Sequence, residues 1–294
     1  MDDRATTFQQ HKPRLYGIAY RMLSSAADAD DILQDAYLRW HQTDSGQIQI
    51  PEAWLTTTVT RLCIDRLRAA RTEREAYVGP WLPEPLVGEA SMPADHDSEL
   101  ASDLSMAFLL VLERLAPLER AAFLLHEVFD CDYPEVAAVL NRNEAACRQI
   151  VHRARERVKR DRPRYQVPDS ARTRLLDKFV SALRAEDHAS LMALFSTDAT
   201  WVSDGGGKVK AARKVVSGPD HVARFALGIW KKYLRLLTHH VVAINGEPGL
   251  LLCFEGTPIS AVSLDTDGTH IRAVYSVLNP DKLKNVTLPE ILSH

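Results

Sequence analysis

The densest concentration of reactive side chains lies between residues 141 and 165. There, nine basic residues (Arg142, Arg148, Arg153, Arg155, Arg157, Lys159, Arg160, Arg162 and Arg164) stand against three acids. The stretch carries a local charge of +6 in a chain whose net charge is −3, so the remainder carries −9. Such separated charge suits a polyanion such as nucleic acid, with a solvated basic helix end as the plain alternative. Arg148, Gln149, His152 and Arg153 share one helical face, and Arg and Gln pair bidentately with guanine and adenine edges. They are candidates for reading bases. Arg142, Arg157 and Lys159 suit phosphates, which fix register and affinity without selecting sequence. A second basic cluster, Arg61, Arg66, Arg68, Arg71 and Arg74, lies earlier in the chain and would suit the other half of a bipartite site. Asp65, among these, fits a nucleic-acid contact and an internal ion pair equally well.

Carboxylates form a pattern of their own. Asp28, Asp31 and Asp35 fall at i, i+3 and i+7, one helix face beside the apolar Ile32, Ala36 and Trp40. Nothing nearby completes an acid–base site, which leaves a solvated face or a dock for a basic partner. Asp204-Gly205-Gly206-Gly207-Lys208 has the composition of a phosphate-cradling loop, but no helix-opening Gly-Lys-Ser/Thr follows, so a P-loop is rejected. Its glycines fit a positive-φ turn. Asp204, His221, His239 and His240 near Trp201 offer proton transfer or small-molecule binding, against simpler packing and surface roles. Cys63, Cys131, Cys147 and Cys253 are far apart with no Cys-x-x-Cys pair, so neither a metal site nor a disulfide framework is expected. No cofactor is predicted.

These side chains need elements to hold them. A length of 294 residues suits two domains or three small ones, and 46% hydrophobic with 26% charged residues is ordinary for globular protein. No apolar run nears the roughly 18 residues of a membrane span. The polar start Met1-Asp2-Asp3-Arg4 lacks a signal peptide's apolar region, and a cytoplasmic protein is expected.

Residues 5–76 read as helices, with Leu15, Ile18, Ala19 and Met22 at helical spacing, then Ile32 to Trp40, then a helix opened by Pro51. Residues 77–100 lack Lys and Arg; Pro80, Pro83, Pro85 and Pro93 with Glu84, Glu89, Asp95, Asp97 and Glu99 mark an acidic linker. Residues 101–165 are helical again. Pro134 opens a short helix, Asn141-Arg142-Asn143 makes a polar turn, and a second helix turns Ala146, Ile150 and Ala154 inward: a helix-turn-helix. Residues 170–294 begin with helices and end in alternating segments separated by Asn245-Gly246 and Asp267-Gly268, an antiparallel meander in an α+β domain.

Three ordered motifs resemble the sigma-70 family. Asp28 to Trp40 is similar to its core-polymerase-binding segment. Pro51-Glu52-Ala53-Trp54-Leu55 with Arg61 to Arg68 is similar to the segment that reads the promoter −10 element, and Leu115 to Arg160 to region 4, which reads the −35 element. Regions 2 and 4 alone, joined by a linker, have the layout of the extracytoplasmic-function (ECF) sigma factors. Trp81-Leu82-Pro83-Glu84-Pro85, Asp204 to Lys208 and Asn279-Pro280-Asp281-Lys282-Leu283 look like signatures of the branch with a C-terminal SnoaL-like domain.

The resemblance implies a multidomain protein: two all-α sigma domains and an α+β cone of the nuclear transport factor 2-like kind. It implies a promoter-specificity subunit rather than an enzyme. Core RNA polymerase, through β′ and β, and promoter DNA would be the partners, and an anti-sigma factor is left open. Asp28, Asp31, Ile32, Asp35 and Trp40 would meet polymerase. Arg61, Asp65, Arg66 and Arg68 would meet the −10 strand, although Arg61 stands where many members carry Asn. The acidic linker would occupy a nucleic-acid channel like a surrogate strand. The C-terminal domain would pack on the sigma regions and regulate them in cis, with Trp81, Leu82, Pro83, Asp204, Lys208, Asn279 and Asp281 in the contact. A free-standing ligand-sensing DNA-binding regulator and a SnoaL-like enzyme tethered to DNA are the alternatives.

Overall fold

The computed structural model describes residues 3–44, 48–70, 74–88, 103–161, 167–233 and 236–287. Arg71, Arg162, Arg164 and the linker residues Glu89, Pro93, Asp95, Asp97 and Glu99 lie outside them. The chain divides into two compact units: residues 1–75, 91–104 and 108–163 form the first, and residues 76–90, 105–107 and 164–294 the second. The boundary differs from a free linker at 77–100, because the first part of that segment belongs to the C-terminal unit.

In the first unit, α1 (Asp3–Leu23) buries Leu15, Ile18, Ala19 and Met22 against α2 (Ala26–Gln42) and α3 (Pro51–Ala69). Ser25 caps α2 by accepting from the Asp28 N–H at 3.1 Å, and Pro51 opens α3, where its missing N–H leaves no bond unmade. Then come α4 (Met106–Glu113), which belongs to this unit from Phe108 onward, and α5 (Pro117–Phe123), which runs into a π-helical turn, Leu124–Val128.

The pair that follows is built by local chemistry. In α6 (Tyr133–Leu140), the Asp132 carboxylate accepts from Glu135 N at 2.8 Å while Glu135 accepts from Asp132 N at 2.9 Å. Asn141 ends the helix in the left-handed conformation, φ 52°. Asn143 then caps α7 (Glu144–Asp161) by accepting from Ala146 N at 2.8 Å. Helix, turn and helix thus follow residue by residue.

The second unit packs α8 (Asp169–Arg184), α9 (His188–Leu194) and α10 (Pro219–Lys232) on a six-stranded sheet. Its strands are β1 (Phe195–Asp204), β2 (Val216–Ser217), β3 (Thr238–Ile244), β4 (Glu247–Phe254), β5 (Thr257–Thr266) and β6 (Ile271–Val277), in the order β2-β1-β6-β5-β4-β3. The short α11 (Pro280–Leu283) follows. β3 to β6 form the expected antiparallel meander, but β1 lies parallel to β6, with Trp201 beside Val274. Asn245 and Gly246, both at positive φ, turn β3 into β4. Phe179, Trp201, Val222, Ala226, Leu250 and Val274 share the core. The Trp201 ring meets Phe225 at 5.5 Å and Phe179 at 6.3 Å, so aromatic packing fills the interior around it. No described helix is long and apolar enough to cross a membrane.

Candidate nucleic-acid interface and linker dock

On α7 the buried residues are Cys147, Val151, Ala154 and Val158. Ala146 and Ile150, expected inward, are only half-buried. The apolar seam is therefore rotated from the expected one. Both sets satisfy helical spacing, and the positions of α5 and α6 decide between them. The rotation leaves Gln149, His152 and Arg153 exposed together, and Arg153 has no ion-pair partner among the described residues. Arg148 is held locally: it reaches Glu144 at 2.8 Å and lies over the Tyr133 ring at 5.0 Å. Arg142 and Lys159 are exposed. Arg157 is engaged by Glu119 at 2.9 Å, the residue that also accepts from the Ala116 N–H, and so fastens α7 to the start of α5. Arg155 pairs with Glu127, which holds its guanidinium above the usual arginine range. Asp161 accepts from Arg160 and Arg114, which lowers its carboxyl.

The earlier basic cluster is less available than its sequence suggests. Arg61, expected on the −10 strand, donates from Nε to Val139 O and from Nη2 to Ala138 O, both at 2.9 Å. Its charge sits at the carbonyl end of α6, where a cation is favoured by the helix dipole. Arg66 pairs with Asp28 at 3.0 Å, joining one expected DNA contact to one expected polymerase contact. Asp65 and Arg68 remain exposed, 3.4 Å apart. Ile32 and Trp40, expected to meet polymerase, lie instead in the helical core. Both are buried; Trp40 packs on Trp54 at 5.6 Å and donates its indole N–H to Arg4 O at 3.0 Å. They hold α2 in place, and the surface they support is Asp31, Asp35 and the exposed Leu38.

Beneath these faces the first unit is joined by a buried ion cluster that no spacing rule announces. Glu113 accepts from Arg120 at 2.8 Å, from Ser24 Oγ at 2.8 Å and from Arg74. Arg120 also donates to Met22 O at 2.5 Å, and Arg74 to Leu23 O at 3.2 Å. Burial pushes Arg120 down to about 9. Burial and the nearby Arg120 bring Arg74 to about 10.

In the second unit, residues 77–88 dock on the C-terminal domain around Asp204. That carboxylate is fully buried and accepts from Tyr77 OH at 2.5 Å, Leu82 N at 2.9 Å, Gly206 N at 3.0 Å and Lys282 Nζ at 2.7 Å. Lys282 also donates to Leu82 O and lies over the Trp81 ring at 4.0 Å. Asn279 donates to Tyr77 OH at 2.9 Å, and burial together with the bond to Asp204 raises the Tyr77 phenol.

The apolar anchor is Leu82, with no exposed surface, whereas Trp81 is half-buried. Further along, Val87 bridges Ile244, and Asn245 N donates to Leu86 O at 2.7 Å, covering the end of edge strand β3. Lys208 pairs with Asp281 nearby. Gly206 has φ 58° and lies so close to Asn279 that a Cβ would sit 2.3 Å from its amide nitrogen. Sequence reasoning named Asp204, Leu82, Asn279, Lys208 and Asp281 but passed over Tyr77 and Lys282. Lys282 stood within the Asn279–Leu283 motif and was the available signal. Among the described residues no cluster of His, Cys, Asp and Glu could hold a metal, and all four cysteines are buried thiols.

Residues 7–73 match the Sigma-70 region 2 family and residues 105–158 the Sigma-70, region 4 family. The ECF RNA polymerase sigma factor SigJ of Mycobacterium tuberculosis is 37% identical over 298 residues, 96% of this chain and 94% of that protein. The probable ECF RNA polymerase sigma factor SigI of the same species is 27% identical over 289 residues, covering 96% and 95% of the two. The crystal structure of SigJ aligns with a TM-score of 0.75 at 34% identity, covering 95% of this chain and 98% of that one.

Proposed function

The chain belongs to the ECF RNA polymerase sigma factors, proteins that direct promoter-specific initiation and are not themselves enzymes, and on that premise we propose how its residues divide the task. Gln149, His152 and Arg153 read −35 base edges, with Arg148 held beside them, while Arg142 and Lys159 grip phosphates. The observation that carries this reading is the outward face of α7, where the first three are exposed together. Arg153→Ala should weaken particular −35 sequences by about 1–3 kcal/mol, whereas Lys159→Ala should weaken all sequences evenly. Gel-shift titrations over single-base −35 variants measure both. A uniform loss in Arg153→Ala would remove it from the reading set.

Asp31 and Asp35 present the polymerase-binding face, to a basic surface of β′. Asp31→Arg or Asp35→Arg should lower affinity for core enzyme and leave duplex binding through α7 unchanged, as read by copurification and gel shift. Wild-type core affinity in both variants would place the contact elsewhere. On the −10 side, Asp65 and Arg68 are accessible as they stand, and Arg61 and Arg66 join them once freed from Val139 and Asp28. The C-terminal domain acts in cis by holding residues 77–88, which fixes how much of the linker is free to separate regions 2 and 4.

A further inference from the structure

We propose that the cleft between the Gly205–Arg213 loop and the Val78–Pro80 segment binds a small phosphorylated anion. The cleft is about 300 Å³, the lower end of the range for small-molecule sites. Its lining includes Lys208, Lys210 and Arg213 and no acidic residue. Lys208 is neutralised by Asp281. Lys210 and Arg213 are exposed and have no acidic partner among the described residues, and Lys214 follows directly. Two uncompensated cations facing one concave space repel each other unless an anion enters.

The backbone adds donors. The N–H groups of Lys210, Ala211, Ala212 and Arg213 make no hydrogen bond within the described residues. The loop is also shaped in advance. At buried Gly205 a Cβ would lie 2.7 Å from Val209 O and 2.8 Å from the Ala211 side chain, so the chain folds back on itself there. The loop runs into β2 with no helix opening directly on it, and this is not a P-loop; side-chain cations and loop amides would do the holding.

The two-walled shape favours a compact ligand over a nucleic-acid backbone. A phosphate monoester carries about −1.5 to −2 near neutrality and a diphosphate more, charge that the two free cations and the loop amides match. The site is separate from the promoter-reading face and stands or falls independently of it.

The probe is inorganic pyrophosphate, titrated calorimetrically into the full-length protein at physiological ionic strength. Saturable 1:1 binding is expected, weakened about tenfold or more by combined Lys210→Ser and Arg213→Ser. Combined Arg153→Ser and Lys159→Ser should leave it unchanged. Pyrophosphate should also slow amide exchange across Lys210–Arg213. Absence of saturation at millimolar pyrophosphate would overturn the proposal, as would equal weakening by the Arg153 and Lys159 pair. Displacement by a short DNA duplex would overturn it in favour of a nucleic-acid backbone site.

Discussion

Replacing Glu113 with alanine should lower the stability of the first unit by about 3–5 kcal/mol, the cost of leaving buried charge without its counter-charge. The carboxylate joins Ser24 at the end of α1, Arg74 beyond α3 and Arg120 on α5. Arg120 is 3% exposed at its side chain and Glu113 12%, so water cannot replace the lost partner well. Without it, two guanidiniums face one another near Met22 O and Leu23 O. The expected loss exceeds that of any exposed ion pair here, such as Asp65 with Arg68, whose kind contributes about 0–1 kcal/mol. Because the chain has two units, a single global unfolding curve would mix them. Hydrogen exchange separates them. Amides of α5 and α7 should lose protection equivalent to the stated loss while those of β5 and β6 keep theirs. A change below about 1 kcal/mol would mean the cluster is solvated in solution.

Asp204→Ala should release residues 77–88 from the C-terminal domain. Four donors converge on this carboxylate, one of them the Lys282 ammonium, 12% exposed at its side chain. Alanine takes the buried counter-charge from that ammonium, which otherwise meets Leu82 O and the Tyr77 and Trp81 rings, again an expected loss of about 3–5 kcal/mol. The Leu82 amide should become exchange-labile and the segment open to limited proteolysis, and promoter-dependent transcription with core enzyme should change with it. Asp204 also ends β1, so the variant could loosen the sheet itself. Lys282→Met guards against that reading, because it removes the linker's partner from α11 and should release the same segment while β1 and β6 amides stay protected. Full protection of Leu82 in both variants would remove Asp204 from the linker dock.

Much of the site was legible because its signals are local. Pro134, Asn141 and Asn143 act within one helical turn of themselves, and the helix-turn-helix they delimit appears where they place it. The same holds for the Pro51 start of α3 and the Asn245-Gly246 turn. Faces were harder. Ile32 and Trp40 share a stripe with acidic neighbours, and sequence spacing identifies a stripe without saying that α1 and α3 cover it.

Taken alone, then, the sequence determined the order of helices and strands, the basic helix-turn-helix and the acidic α2 face. These depend on caps, turn residues and charge composition, whose free energies are set by neighbours within a few positions. Only the tertiary structure decided that Arg61 caps α6, that Glu113 gathers Arg74 and Arg120, that α7 turns Cys147 and Val151 inward, and that β1 runs parallel to β6. Each of those contacts joins residues distant in sequence or selects one of several faces that helical spacing allows equally. The choice falls to burial and to pairing of charges in the folded core, where a single misplaced guanidinium or carboxylate costs several kcal/mol.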